Sequence, residues 1–287
     1  MEENKSAKLQ MLFSMALFGT IGLFVRAIPL PSSAVAMIRG FVGAAFLLVF
    51  TLARGKKISL AAIRENLLLL CVSGAAIGVN WILLFEAYRY TSVATATICY
   101  YLAPVFLVLS APLTLGEKLT AKKIVCVVLA LAGTAFLSGG ADGASLRGIA
   151  CGCGAAVFYA SVMTLNKKMR DITAADRTLV QLFAAGLCLL PYVLATENVG
   201  EWSLTALQLA LLAFVGIVHT GYTYALYFGA VAQLPTQTVA LYSYIDPLVA
   251  VLLSALVLRE PFTVQSAVGA ALVLGSTLWN ELNFKKR

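Results

Sequence analysis

The sequence predicts an all-α integral membrane protein in which ten transmembrane helices form two five-helix repeats of opposite topology. Three observations carry that prediction. The chain is 61% hydrophobic and only 12% charged over 287 residues, whereas soluble domains carry about 25% charged residues. Its apolar runs recur at the length of roughly 20 residues that a helix needs to cross a bilayer. A shift of 143 residues also lays one half of the chain on the other without a gap, from Gly78 to Thr134.

Taken in order, the first span is expected at 9–27, ending before Pro29 and Pro31, and the second at 33–53, before a loop carrying Arg54, Lys56, Lys57 and Arg64. The third covers 67–88 and the fourth 94–114. Gly116-Glu117-Lys118 turns the chain into the fifth, 121–138, and Gly139-Gly140-Ala141-Asp142-Gly143 closes the half. The sixth is expected at 146–166, and the seventh at 178–195 after a charged loop from Lys167 to Arg177. The eighth, ninth and tenth follow at 204–229, 237–258 and 263–282, before the tail Lys285-Lys286-Arg287. Lys5 and Lys8 before an apolar run imitate a signal peptide. No small-x-small cleavage site follows them, so the first span reads as an uncleaved helix.

The basic residues orient this stack. With the N-terminus inside, only Arg26, Arg89, Arg147 and Arg259 of the 21 Lys and Arg fall on the outer side, and Arg39 lies within the second span. The other sixteen are inside, so both termini are expected in the cytoplasm.

In the repeat, Gly78 falls on Gly221, Phe85 on Phe228, Tyr101 on Tyr244, Pro104 on Pro247 and Glu117 on Glu260. Apolar bias accounts for some identities, but not for glutamate and proline matches at one offset. Residues 1–140 and 144–287 thus form two units of one membrane domain. Each has an odd number of spans, so the second enters the membrane from the opposite side. Secondary transporters use inverted repeats of this kind to place a site between halves at mid-membrane.

The formal charge of +8 needs no nucleic acid to explain it, because cytoplasmic loops supply it. The six cysteines all lie in apolar spans, where they read as small, buryable residues; no disulfide framework or metal set is expected. No Walker-type phosphate loop is present, and no paired acids or nucleophile dyad suggests an enzyme. No cofactor is expected.

Tyr242-Ser243-Tyr244-Ile245-Asp246-Pro247 is the stretch where chemistry concentrates. Asp246 is the only carboxylate in its span, and a charge at that depth costs about 2.5–3.5 kcal/mol on insertion scales. Pro247 has no N–H to donate, so the Ser243 carbonyl is left free; Pro104 does the same to Tyr100. A substrate site is one reading, and an acid that only fixes helix packing is the other. Tyr242 and Asp246, four apart, share a helical face, and so do His219 and Tyr222 in the eighth span. His219 is either a proton relay or ammonium contact, or a neutral histidine bonded to a neighbouring helix. Asn80, Trp81, Tyr100, Tyr101 and Tyr159 are candidates for an opposite, aromatic wall, or for ordinary packing. Arg39 pairs with Glu86 or with a substrate carboxylate, the ion pair being the plainer choice. Glu117 and Glu260 read as capping or loop-fixing residues, and Pro104 and Pro247 as paired hinges.

Length, span count and repeat resemble the drug/metabolite transporter superfamily, specifically its EamA branch. The resemblance is carried by Phe18-Gly19 with Arg26, by Arg39 near Phe41, and by the blocks Tyr101-Leu-Ala-Pro104…Gly116-Glu117 and Tyr244-Ile-Asp-Pro247…Arg259-Glu260. It implies a carrier in the bacterial cytoplasmic (inner) membrane, with spans 1, 3, 4, 6, 8 and 9 around a central cavity and spans 5 and 10 outside it. Export of amino acids or related amphipathic compounds by alternating access is the expected function. A carrier or flippase of phosphorylated, nucleotide-linked or lipid-linked sugar cargo is the alternative, which several cavity cations would signal. The expected partners are a small-molecule substrate and the lipid bilayer. Protons as coupling ion and a homodimer are left open.

Overall fold

The computed structural model describes residues 5–114, 120–138, 145–231, 233–234 and 236–281. Glu117, the Gly139–Gly143 joint and the basic tail lie outside these residues. Among the described residues the chain is helical, without a strand. The first half contains α1 (Lys5–Arg26), α2 (Ser32–Ala53), α3 (Leu60–Glu65), α4 (Leu67–Tyr90), α5 (Val93–Tyr100), α6 (Ala103–Thr114) and α7 (Ala121–Ser138). In the second are α8 (Leu146–Lys168), α9 (Ala174–Thr196), α10 (Ala206–Phe214), α11 (Thr223–Val231), α12 (Thr236–Ser243), α13 (Ile245–Leu256) and α14 (Val264–Glu281). Among the described residues seven stretches are long and apolar enough to cross a bilayer, the composite Val93–Ser110 and Ala206–Val231 among them, and Ile245–Leu256 and Val264–Trp279 are shorter apolar helices.

Joints between helices gather at two ends, as an up-and-down bundle requires. At one end the Asn66 amide donates to the Arg170 carbonyl (2.9 Å) and accepts from the Arg170 amide (3.1 Å). At the other, Arg26 Nε donates to the Tyr88 carbonyl (2.8 Å) and Nη2 to the Thr91 carbonyl (2.7 Å), while Ser33 donates to Glu197 (2.7 Å). Side-chain caps set several starts: Ser92 accepts from the Thr95 amide at α5, and Thr173 from the Asp176 amide at α9. Thr205 and Gln208 form a capping box at α10.

Three features depart from a stack of regular helices. The fourth and ninth expected spans are each broken, α5 from α6 at Tyr101-Leu102 and α12 from α13 at Tyr244. Both breaks stand just before a proline, which removes one hydrogen bond and crowds the carbonyl four residues back. Each proline then sits in the first turn of the new helix, where a missing N–H is tolerated. The eighth expected span is interrupted by a π-helical segment, Val215–Tyr222, between α10 and α11. Its wider turn is stitched by Thr220 Oγ1 donating to the Val215 carbonyl (3.0 Å) and Thr223 Oγ1 to Val218 (2.7 Å), each five residues back. The basic loop after α2 also contains the short α3, capped by Ser59.

Close packing through small residues holds the bundle, since lipid gives apolar helices little reason to associate. A Cβ on Gly40 would stand 2.9 Å from the Leu182 carbonyl oxygen, and one on Gly216 2.6 Å from Val42 Cγ1. These contacts seat α2 between α9 and the π-helical segment, around a core of Trp81, Phe85, Leu182 and Val215. Helices α7 and α14 pack on one another: a Cβ on Gly133 would meet the Gly269 carbonyl oxygen at 2.7 Å.

Candidate functional site

The two helix breaks meet at a cavity of about 240 Å³. It is lined from α1, α2, α4, α8 and α11 and from both breaks, with no residue from α7 or α14. The expected lining spans are therefore joined by the second, through Arg39.

Asp246 stands in the first turn of α13, where the helix dipole favours an anion. Tyr101, at the break in the first half, places its hydroxyl 3.0 Å from Asp246 Oδ2 and donates it to the Ser243 carbonyl at 2.8 Å. That carbonyl is the one Pro247 leaves without a helical partner, so a residue of one half satisfies the backbone defect of the other. Ser243 also lines the cavity, but its own hydroxyl donates to the Val239 carbonyl (2.9 Å). Gly19 makes room for the break, as a Cβ there would lie 2.5 Å from the Asp246 carbonyl oxygen.

Around this pair the walls are aromatic. Tyr100 meets Tyr159 at 5.4 Å between ring centroids and Tyr101 at 6.4 Å, and Tyr101 meets Tyr244 at 6.1 Å. Phe18 of α1 meets Tyr224 of α11 edge-on at 5.3 Å. Arg39 is buried, donates from Nε to Thr220 Oγ1 (2.6 Å) and sets its guanidinium 4.1 Å from the Trp81 ring centroid. A desolvated contact of this type is worth about 2 kcal/mol.

The structure thus gathers Asp246, Ser243, Trp81, Tyr100, Tyr101, Tyr159, Pro104 and Arg39 at one cavity. Other candidates stand elsewhere, for physical reasons. Tyr242 lies on α12, and the break at Tyr244 turns it away from Asp246 to pack in the cluster of Met11 and Met15. His219 and Tyr222 do not share a face: in the wider π turn His219 is fully buried and Tyr222 is 37% exposed. His219 Nε2 lies 2.7 Å from Thr20 Oγ1, its ring between Phe24 and Phe214. Asn80 donates to the Ala155 carbonyl (2.6 Å), joining α4 to α8. Glu86 faces Arg89 at 3.6 Å and does not pair with Arg39. Pro247 is buried beside the site without lining it.

Tyr224, which the repeat sets opposite Trp81, also lines the cavity. Sequence reasoning left out Tyr88, Tyr227 and Thr220. Tyr88 is seven residues after Trp81, two turns along one helical face, and that signal was readable. Thr220 carried none, because a threonine in an apolar span does not announce a π turn. Glu260 acts at the end of the bundle, paired with Arg26, bonded to Ser254 and accepting the Val93 amide at 2.9 Å. It fixes a loop, as its position suggested, and does so across the two halves.

Against families of known proteins, the model of the EamA-like transporter family matches twice, at residues 5–139 and 146–281. This chain belongs to the EamA-like transporter family. Among its relatives is the uncharacterized transporter YxxF of Bacillus subtilis, 29% identical over 261 residues, covering 88% of this chain and 82% of the relative. An uncharacterized transporter of Archaeoglobus fulgidus is 29% identical over 272 residues, covering 93% and 94% of the two chains. A solved crystal structure shares the fold at a TM-score of 0.66 over 96% of each chain, with 21% identity. As an EamA-like protein with apolar helices of spanning length, the chain is a multi-pass membrane protein of a transporter family.

Proposed function

We propose that this EamA-like protein is a secondary carrier that works by alternating access and exports small amphipathic metabolites, amino acids foremost, across the bacterial cytoplasmic membrane. In this reading ten spans form two inverted halves with cytoplasmic termini, and the cavity faces one side of the membrane at a time. The observation that carries it is the placement of one carboxylate, Asp246, in an aromatic cavity where the two broken helices meet. Asp246 contacts the cargo's ammonium group or a coupling proton. The tyrosine walls take the apolar part of the cargo, and Pro104 and Pro247 hinge the broken helices.

A phosphorylated or nucleotide-linked cargo would call for several cavity cations. Arg39 is the only Lys or Arg among the described lining residues, which favours the smaller cargo.

The test is counterflow in proteoliposomes with labelled amino acids. Exchange of one chemical group of amino acids by wild type supports the reading. Failure to exchange any of them, with nucleotide sugars or phosphorylated compounds exchanging instead, replaces it by the second.

A further inference from the structure

Arg39 is the charged lining residue to which the carrier reading gives no task. Nε of its guanidinium donates to Thr220 Oγ1 at 2.6 Å, and Cζ lies 4.1 Å from the Trp81 ring centroid and 5.8 Å from that of Phe85. Thr220 is fixed in turn, because its hydroxyl donates to the Val215 carbonyl at 3.0 Å. That five-residue reach belongs to the π-helical segment. Gly43 leaves the space, since a Cβ there would lie 2.5 Å from Thr220 Cγ2.

The rest of the guanidinium is uncommitted. Among the described residues no carboxylate pairs with Arg39. Nη1 and Nη2 form no hydrogen bond there, and they are not among the buried polar atoms sealed off without a partner. Arginine stays charged inside a protein, and its fork of N–H groups matches the two oxygens of a carboxylate. A buried cation without a paired carboxylate is costly in a membrane, and an anion entering the cavity it lines would offset that cost.

We infer that Arg39 is the anion receptor of the cavity, taking the carboxylate of the cargo, and that Thr220 is the positioning residue that aims it through the π-helical turn. This rests on the carrier reading and narrows it. With one fork for an anion and one carboxylate, Asp246, for a cation, the cargo class is a zwitterionic amino acid with a single free carboxylate. The matching amine, lacking that carboxylate, is refused.

Trp81 reports on this directly, because it lies under the guanidinium. The chain has three tryptophans. Trp202→Phe with Trp279→Phe leaves Trp81 alone, and its fluorescence is titrated in purified protein with each amino acid of the counterflow panel and with the amine formed by removing its carboxylate. We expect a saturable change with the transported amino acid, none with its amine, and an apparent affinity at least about tenfold weaker in Arg39→Gln. Arg39→Lys keeps charge without the fork and falls between. Thr220→Val weakens binding about threefold or more, and Thr220→Ser restores it to within about twofold. Size-exclusion profiles identify variants that fail to fold, and Thr220→Val with its serine rescue decides the matter if Arg39→Gln is among them. Equal binding of amine and amino acid, or wild-type affinity in folded Arg39→Gln, overturns the inference while counterflow leaves the carrier reading standing. An absence of both counterflow and fluorescence change across the panel removes the two together.

Discussion

Tyr101 and Asp246 meet hydroxyl to carboxylate at 3.0 Å, where the broken helix of one half touches the broken helix of the other. The same hydroxyl donates to the Ser243 carbonyl at 2.8 Å. One hydrogen therefore serves two acceptors while Asp246 is ionised. When Asp246 is protonated it can donate to Tyr101 Oη, and Tyr101 then gives its hydrogen wholly to Ser243. Protonation thus exchanges one shared, charge-assisted hydrogen bond for two neutral ones and so alters the link between the halves.

Asp246→Asn fixes the donor form permanently, because the amide donates where the carboxylic acid would. We predict that it folds and inserts as wild type but loses at least about tenfold in transport rate, and that the remaining rate no longer responds to pH. Transport at the wild-type rate with unaltered pH dependence would remove Asp246 from the mechanism.

Tyr101→Phe deletes the shared hydroxyl and strands the Ser243 carbonyl, at a cost of about 1–3 kcal/mol. The thermal midpoint of the detergent-purified protein should fall, and it should fall further in the Asp246→Asn background, where the hydroxyl gives its hydrogen wholly to Ser243 and also accepts from the amide. Additive losses in the double variant would show that the two groups are not coupled.

At the end of the bundle Glu260 joins Arg26 and the Val93 amide of the first half to Ser254 of the second. The pair is partly exposed, with side chains 30% and 11% accessible, so its loss is set at about 1–3 kcal/mol, below the value of a fully buried pair. Glu260→Gln should lower the thermal midpoint and speed labelling of a cysteine placed in the cavity from that end. Unchanged labelling would leave Glu260 as a loop anchor without a part in gating.

His219 is buried away from the cavity and bonded to Thr20. His219→Gln keeps a polar end for that bond, and we expect its transport to retain the wild-type dependence on pH. A pH profile that flattens in this variant would restore the relay reading of the sequence.

The helical membrane character was legible because the length and apolarity of a span are properties of a whole segment, and the family model that matches twice agrees with a sequence that repeats. The proline-freed carbonyls at Tyr100 and Ser243 were legible too, but local sequence does not say whether a proline bends a span or divides it. Tyr101, 142 residues away from Ser243 in the chain, became visible as its partner only in three dimensions. The π turn hid for a different reason: Gly216, Thr220 and Gly221 fit a regular apolar helix equally well, and Val42 and Phe46 pressing on the two glycines come from another helix. That turn also separates His219 from Tyr222, whose shared face was an assumption of regular helical spacing.

The most direct test of alternating access is two-sided labelling of Ser243→Cys, in protein whose six native cysteines have been replaced, using a membrane-impermeant maleimide added to one side of oriented vesicles. Ser243 lines the cavity between the breaks, and its hydroxyl bonds only within its own helix. The account predicts that saturating cargo changes the labelling rates from the two sides in opposite directions. Equal labelling from both sides, indifferent to cargo, would describe an open pore and contradict it.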